Sequence, residues 1–323
     1  MKSEIQQKDI CFKSSNGNSI VSGAIYTHRE IPPKAIVQIS HGMCEHIGRY
    51  HDFIEYLVKN GFAVAGHDHL GHGKTAQNGE YGYFSQKNGA KYVLNDLYQM
   101  NQLTHKCFPN LPYFLLGHSM GSFFARLYAS VYPNTIDGLI LSGTAGPTPG
   151  VDAGILLTEF LMKTKGEKFV SPVVQKIAFG KYLSQIKNPK TQYDWISRDE
   201  RIVSEYAKDE ACTFVFTVSA FHELFSTLRA VSSEKWVNRI PKDLPVFLFS
   251  GDADPVGNYG KGVIKVENML KKANIKDVEL LLYSKGRHEM LNELNRTKVY
   301  ADVLDWLNRH IDSKVESEGM ELC

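Results

Sequence analysis

The chain has 323 residues, 43% of them hydrophobic, and a formal net charge of +2 at pH 7. This length allows a substantial buried core, as expected for one catalytic domain with an insertion. The charge is small and evenly spread, which excludes the basic surfaces that bind nucleic acid, so we expect no nucleic-acid partner.

Signals for membrane insertion or export are weak in this sequence. No apolar run approaches the length of a transmembrane helix, and residues 1–9 lack the apolar core of a signal peptide. The cysteines are scattered without a C-x-x-C pair, which fits a reducing compartment: Cys11, Cys44, Cys107, Cys212 and Cys323. We therefore expect a cytoplasmic protein that can also contact membranes peripherally.

The first elements predict a hairpin followed by alternating strands and helices. Two strand-like runs, 10–13 and 20–26, flank an Asn-Gly-Asn turn signal at residues 16–18. Strands are then predicted at 35–40 and 62–65, with an amphipathic helix at 53–58 between them. Continuous apolar runs of this kind belong to strands buried on both faces, as in a parallel sheet.

A glycine-flanked serine stands between the next strand and helix. The apolar run 113–116 precedes G-H-S-M-G at 117–121, and a helical pattern follows at 122–129. This context predicts a nucleophile elbow with Ser119 as the nucleophile. Developing negative charge on a substrate carbonyl needs preorganised donors. We expect the backbone N–H groups of Met120 and of Met43, in the loop after strand 35–40, to form this oxyanion hole.

After a further strand at 138–142, the alternation fails between residues 147 and 240. This segment has helical patterns without strand candidates, so we predict a helical cap inserted into a core formed by 1–146 and 241–312. One apolar helix in the cap has two interpretations, which can hold for different faces: it packs on the core, or it lines an acyl pocket or touches lipid surfaces. Its candidate substrate-binding residues are Ile155, Leu156, Leu157 and Phe160. Residues 313–323 read as a polar C-terminal tail.

Two acidic residues and one histidine follow the last predicted strands. Asp252 and Asp254 come after strand 244–250, and His288 comes after strand 278–283. The order Ser, Asp, His matches the chain order of triads built on an elbow. We assign Asp254 as the acid because Pro255 stiffens its turn, while Asp252 remains a competitor. The alternative is a solvated aspartate and a buried structural histidine.

Other chemical motifs fail on their spacing. Gly73-Lys74-Thr75 lacks the first glycine of a phosphate-binding loop, and the histidine pair of a zinc-protease helix is incomplete at His222. The dense histidines at 67, 69 and 72 lack a matching ligand set elsewhere, so we expect them to hydrogen-bond loops around the active site. No metal or cofactor is expected.

Three motifs carry a specific resemblance. The sequence H-G-M-C-E-H-I-G-R-Y at 41–50 resembles the H-G-x-x-E-H-x-x-R-Y signature of monoacylglycerol lipases and lysophospholipases. The D-H-L-G-H-G loop at 68–73 and the elbow at 117–121 are also similar to that family. The resemblance implies an α/β-hydrolase fold, with a mostly parallel central sheet flanked by helices, and hydrolysis of esters with one fatty chain. Cys44 departs from the glycine that the family usually carries.

The hypotheses for function are therefore ranked by chemistry. The first is a serine hydrolase that cleaves monoacylglycerols or lysophospholipids through an acyl-enzyme. The second is a short-chain carboxylesterase or a proline-type serine aminopeptidase on the same fold, because the triad alone does not set specificity. The third is a non-catalytic binding module, which the intact triad disfavours. Hydrolases with a carboxylate nucleophile are disfavoured by Ser119.

Overall fold

A central eight-stranded sheet organises the molecule. The computed structural model describes residues 4–76 and 79–321. Its strands are β1 (Ile5–Lys13), β2 (Ile20–His28), β3 (Ala35–Ser40), β4 (Phe62–His67), β5 (Tyr113–His118), β6 (Gly138–Ser142), β7 (Val246–Gly251) and β8 (Val278–Tyr283). Their order across the sheet is β1-β2-β4-β3-β5-β6-β7-β8.

The sheet is antiparallel at one end and parallel elsewhere. β1 and β2 form the predicted hairpin, and β2 also pairs antiparallel with β4. All pairs from β4 through β8 are parallel. Unlike the hairpin strands, β3 to β7 are buried along their whole length. Burial on both faces explains why their sequences are mainly apolar. The predicted mostly parallel sheet is confirmed.

Ten helices connect these strands in the part of the chain that the structure describes. They are α1 (His51–Lys59), α2 (Gly89–Cys107), α3 (Met120–Val131), α4 (Val151–Lys165), α5 (Pro172–Phe179), α6 (Glu200–Lys208), α7 (Val218–Val231), α8 (Glu234–Val237), α9 (Lys261–Lys272) and α10 (Arg296–Glu321). One apolar core packs α1 and α10 on the sheet through residues such as Phe53 and Trp306. A second core packs the other face against α2, α3 and α9. The sheet is therefore covered on both faces.

The segment between β6 and β7 is helical, with α4 to α8 in sequence. Its second half packs firmly on the sheet-bearing part of the molecule, because Phe221, Val231 and Trp236 join the core that contains Phe124 of α3. α4 packs on α7 and exposes its other face. The cap limits of 147 and 240 stay a prediction, and α7 belongs to the shared core as much as to a separate layer.

The C-terminal helix is longer than the sequence pattern indicates. α10 continues to Glu321 and so takes in most of the segment read as a polar tail, while residues 322–323 lie outside the described residues. Lysine, glutamate and methionine in this segment have good helix propensity, which favours continuation of a helix that is already formed. Among the described residues, no helix is long and apolar enough to cross a membrane.

The strand order fixes where a site can form. β3 lies between β4 and β5, so the chain moves to one side after β3 and to the other side after β4. Loops that leave neighbouring strands in opposite directions open a crevice at the carboxyl ends of those strands. The loop after β3 carries Met43, and Ser119 directly follows β5.

Candidate active site

Ser119 lies at the sharp turn from β5 into α3. Its backbone has φ 51° and ψ −120°, in the left-handed half of the map that non-glycine residues rarely adopt. Hydrogen bonds hold this strained turn: the Ser119 N–H donates to the Ser142 carbonyl at 2.9 Å, and the Ser122 N–H donates to the Ser119 carbonyl at 2.9 Å. The serine is partly exposed, so its hydroxyl can meet a substrate.

Two glycines permit this turn. A Cβ atom at Gly117 would collide with the Gly121 carbonyl and the Ala125 side chain. A Cβ atom at Gly121 would collide with the carbonyl oxygens of Ser40 and His41 at the end of β3. The glycines therefore allow α3 to approach the sheet closely, which brings Ser119 next to the loop that follows β3.

His288 and Asp254 form a buried hydrogen-bonded pair. The distance from His288 Nδ1 to Asp254 Oδ2 is 3.0 Å, and both side chains are almost fully buried. Asp254 is itself oriented, because its other oxygen accepts from the Val256 N–H at 2.9 Å and Oδ2 accepts from the Ser250 hydroxyl at 3.1 Å. This bond to Nδ1 leaves Nε2 of the imidazole to act as a base.

The pKa of His288 is raised above its ordinary value. Burial alone lowers this pKa, but the charge of Asp254 and its hydrogen bond outweigh burial, with help from Glu289 and Glu45. His118 packs beside the catalytic ring with centroids 4.7 Å apart, and burial holds the pKa of His118 well below its ordinary value. A neutral His118 therefore adds no positive charge next to His288.

Asp252, the competing acid, lies elsewhere. It is exposed, and its carboxylate accepts a hydrogen bond from the Lys285 N–H at 2.6 Å. It therefore braces the turn before His288 without contacting the imidazole. The structure brings Asp254, rather than Asp252, to His288.

The oxyanion loop, residues 41–46, is held by its own side chains. The Gly42 N–H donates to Glu45 Oε1, which also accepts from the Tyr50 hydroxyl at 2.8 Å. A Cβ atom at Gly42 would lie 3.1 Å from the Ser119 Cβ atom, so this loop passes directly beside the nucleophile. Within the described residues, the N–H groups of Met43 and Met120 donate to no other atom, which leaves both available to a substrate oxygen.

Cys44 occupies a position that suits glycine. Its φ is 55°, a left-handed conformation that explains the glycine usual in the resembling family. Three contacts hold it: its N–H donates to His72 Nε2 at 3.2 Å, its carbonyl accepts from the Tyr206 hydroxyl at 2.8 Å, and its thiol contacts the Phe214 carbonyl. Substitution by cysteine therefore leaves the loop in place.

A buried ionic network joins this loop to the segment that carries His288. Arg49 forms ion pairs with Glu289, next to His288, and with Glu45, which anchors Gly42. Its guanidinium also lies over the Tyr206 ring, 4.8 Å from the centroid. Burial and the nearby Glu289 raise the pKa of Glu45 to about 7, although Arg49 opposes this shift. The sequence analysis included Arg49 only as part of the 41–50 signature and assigned no role to Arg49 or Glu289. The i,i+4 spacing of Glu45 and Arg49 was the one signal for their ion pair.

The histidine-rich loops brace the oxyanion loop from behind. His41 Nε2 accepts from the His69 N–H at 2.9 Å, and His69 Nε2 lies 3.1 Å from the Ser40 hydroxyl. His72 supports Cys44 as described above. Asp68 accepts from the Ile47 N–H at 2.9 Å and the Lys74 N–H at 2.7 Å. The histidines at 69 and 72 thus hydrogen-bond the loops, as predicted, whereas neither ring nitrogen of His67 has a partner among the described residues.

The helical insertion contributes an aromatic wall that the sequence did not reveal. The Trp195 ring lies 5.1 Å from the His288 ring, and its carbonyl accepts from the His288 N–H at 3.4 Å. Tyr182 packs on Trp195 at 4.9 Å, and Phe179 lies behind both. No motif marks these residues, because only the fold brings them to the histidine.

The predicted cap residues separate into two faces of α4. Ile155 is buried and Leu157 is half-buried against the shared core, whereas Leu156 and Phe160 are 66% and 61% exposed. The interpretation that α4 packs inward holds for one face of the helix. The other face is open to solvent, and its contact with an acyl chain or a lipid surface stays a prediction.

Comparison with known proteins gives a consistent assignment. A family model described as serine aminopeptidase, S33, matches residues 31–295. The chain is 28% identical to a monoglyceride lipase of Rattus norvegicus over 288 residues, covering 89% of this chain and 85% of that protein. It is 26% identical to a monoacylglycerol lipase of Mycolicibacterium smegmatis, covering 86% of this chain and 90% of that protein.

A solved structure has nearly the same fold. The highly thermostable carboxyl esterase from Bacillus coagulans, solved in complex with glycerol, superimposes with a TM-score of 0.89 at 32% identity. The match covers 94% of this chain and 99% of that chain. The predicted α/β-hydrolase architecture is confirmed over almost the whole length of the protein.

Proposed function

The chain belongs to the family described as serine aminopeptidase, S33, and we propose that within this family it hydrolyses single-chain lipid esters, monoacylglycerols above all. The general activity is carboxylic ester hydrolysis, in line with the esterase and lipases to which the chain is similar. The observation that carries the proposal is the His288–Asp254 pair: Asp254 follows β7 and His288 follows β8, at the same edge of the sheet where Ser119 follows β5.

The reaction proceeds through an acyl-enzyme. The Ser119 oxygen attacks the ester carbonyl while His288 Nε2 takes its proton, and Asp254 stabilises the imidazolium that forms. The N–H groups of Met43 and Met120 bind the negative oxygen of the tetrahedral intermediate. His288 then gives the proton to the departing alcohol, and a water molecule repeats the sequence to release the fatty acid.

The aromatic wall supports a substrate with an apolar chain. Trp195 packs on His288, and Tyr182 and Phe179 pack on Trp195, so an acyl tail that lies against these rings would be shielded from water. Each buried methylene contributes about 0.8 kcal/mol, which favours an acyl chain over a short ester. The relatives named monoacylglycerol lipase support the same substrate class.

The proposal also includes a transient contact with lipid surfaces. Leu156 and Phe160 on α4 and Val173 and Ile177 on α5 are each at least 60% exposed. Apolar side chains on amphipathic surface helices bind the headgroup boundary of a lipid aggregate, where monoacylglycerols reside. We propose that α4 and α5 make this contact transiently while the active site extracts a substrate molecule.

The experiment is a release assay with three substrate classes on the purified protein: monoacylglycerols, lysophospholipids and a chromogenic proline amide. We expect kcat/KM to be highest for a monoacylglycerol and negligible for the amide. Preferred cleavage of the amide would instead establish an aminopeptidase. A short acetyl ester in the same series tests the remaining alternative, a short-chain carboxylesterase.

A further inference from the structure

A cluster of three metal-binding side chains lies beside the oxyanion loop and outside the catalytic triad. His46, Asp209 and Cys212 each offer one ligand atom, and these atoms all lie within 4.8 Å of one another. In the part of the chain that the structure describes, no other group of histidine, cysteine and acidic side chains meets this geometry. We propose that this cluster binds a thiophilic divalent cation such as Zn²⁺.

The three donors come from two segments distant in the sequence. Asp209 caps α6, and Cys212 follows on the same tight turn, with its N–H donating to the Asp209 carbonyl at 2.9 Å. The Ala211 N–H donates to the Asp209 side chain at 2.8 Å, which fixes the carboxylate on that turn. Two residues separate Asp209 from Cys212 on this turn, and many zinc sites present a pair of ligands with the same separation.

His46 completes the cluster from the opposite side. Its Nε2 atom lies 2.9 Å from Asp209 Oδ2, and its ring packs over Gly48, where a Cβ atom would lie 2.9 Å from His46 Nδ1. Tetrahedral Zn²⁺ with ligand bonds of about 2.0–2.3 Å needs its donors roughly 3.3–3.7 Å apart. The present distances, from 2.9 Å to at most 4.8 Å, lie on both sides of this range, so small side-chain rotations would bring the donors to it.

The chemistry of the donors selects the cation. One imidazole, one carboxylate and one thiolate suit Zn²⁺ and exclude Mg²⁺ and Ca²⁺, which require mostly oxygen ligands. Binding of Zn²⁺ would displace the thiol proton of Cys212 to solvent, and the resulting thiolate and the carboxylate would then balance the charge of the ion. The nearby Arg49 is already neutralised by Glu45 and Glu289, so it adds little repulsion. His46 and Asp209 are partly exposed, which gives the ion and a water ligand access from solvent.

Occupancy of this site would clamp the helical insertion to the loop that carries Met43. His46 belongs to that loop, whereas Asp209 and Cys212 belong to the segment between α6 and α7. A bound ion stabilises the folded chain by mass action, because the unfolded chain does not hold the three donors together. This inference is independent of ester hydrolysis, so its failure would leave the proposed function untouched.

The test uses the full-length protein after treatment with a chelator. Titration calorimetry with Zn²⁺ should give one ion per chain, and Zn²⁺ should raise the melting temperature where Mg²⁺ does not. Co²⁺, as a spectroscopic substitute, should produce a thiolate-to-metal charge-transfer band in the near ultraviolet. The cobalt spectrum of the wild type needs no variant and therefore cannot be confused with misfolding.

Variants then assign the ligands. Cys212→Ser and Asp209→Asn should each weaken Zn²⁺ binding by more than about tenfold, and Cys212→Ser should abolish the cobalt band. Cys107→Ser, which changes an exposed thiol on α2, is the matched control and should bind as the wild type does. Absence of Zn²⁺ binding, or a cobalt band that persists in Cys212→Ser, would overturn the proposal.

Discussion

At the scale of single residues, the site depends on side chains that the sequence marked and on others that it did not. Ser119, Asp254 and His288 could be selected because each follows a strand in the chain order of a triad. The contacts of Arg49 with Glu289 and of Trp195 with His288 could not be predicted, because each joins segments that are far apart in the sequence. Local patterns single out candidate reactive residues, whose roles stay predictions, whereas the groups around them come together only through tertiary packing.

The two aspartates give a sharp residue-scale prediction. Asp254→Asn should lower turnover by about 10³–10⁴-fold, because an amide favours the wrong tautomer of His288. Asp252→Asn is the matched control: asparagine can still accept the Lys285 N–H, so activity should stay close to that of the wild type. Steady-state kinetics on a soluble ester measures both, and the reverse pattern would move the acid role to Asp252.

The same change should shift the pH profile. The Asp254 charge raises the pKa of His288, and the histidine acts as a base only when neutral. Loss of that charge should therefore move the acidic limb of kcat/KM to lower pH in whatever activity remains.

At the scale of elements, strands were predicted more accurately than the segments around them. The bounds of β3, β6 and β8 follow directly from short, mainly apolar runs. The helical insertion was recognised because strand patterns are missing there, but its sequence alone does not tell which helix faces inward. α7 is buried against α3 and α4 is not, and this difference depends on the partner surface rather than on hydrophobicity.

The exposed face of α4 carries the element-scale prediction. In the wild type, kcat/KM should rise with acyl length by up to about fourfold per methylene, until the apolar wall is filled. Leu156→Asp combined with Phe160→Asp should reduce hydrolysis of long-chain monoacylglycerols in micelles and spare a monomeric short ester, because the two side chains would contact the aggregate. Activity against each substrate is measured at matched enzyme concentration.

Ile31→Asp provides the control for this double variant, since Ile31 is an exposed apolar residue outside the insertion. Its acyl-length profile should match that of the wild type. Equal losses on short and long substrates in the α4 variant would indicate a general structural effect and contradict the proposed lipid contact.

At the scale of the whole molecule, a group of buried histidines makes stability depend on pH. Burial lowers the pKa of His67 to about 3 and that of His72 to about 4, and it lowers the pKa values of His41 and His69 well below their ordinary value. The unfolded chain therefore binds protons below about pH 6.5 that the folded chain does not bind. The free energy of unfolding therefore decreases as the pH drops below about 6.5.

His67 isolates one part of that effect. Its ring is fully buried beside Phe12, and neither nitrogen has a partner among the described residues. Between pH 7 and pH 5, the free energy of unfolding of His67→Phe should fall by about 2 kcal/mol less than that of the wild type, as measured by urea unfolding at both pH values. The exposed His51 gives the control variant His51→Phe, which should lose as much stability as the wild type. An unchanged loss in His67→Phe would show that His67 is not held neutral.

The central claim is that all covalent chemistry passes through the Ser119 hydroxyl. The most direct measurement combines labelling by a fluorophosphonate probe with hydrolysis of a monoacylglycerol, for the wild type, Ser119→Ala and the exposed-site control Ser184→Ala. We predict that Ser119→Ala loses labelling completely and loses turnover on the order of 10⁴–10⁶-fold, while it stays folded by circular dichroism and Ser184→Ala behaves as the wild type. Labelling or substantial ester hydrolysis that survives in folded Ser119→Ala would contradict the assignment of the active site.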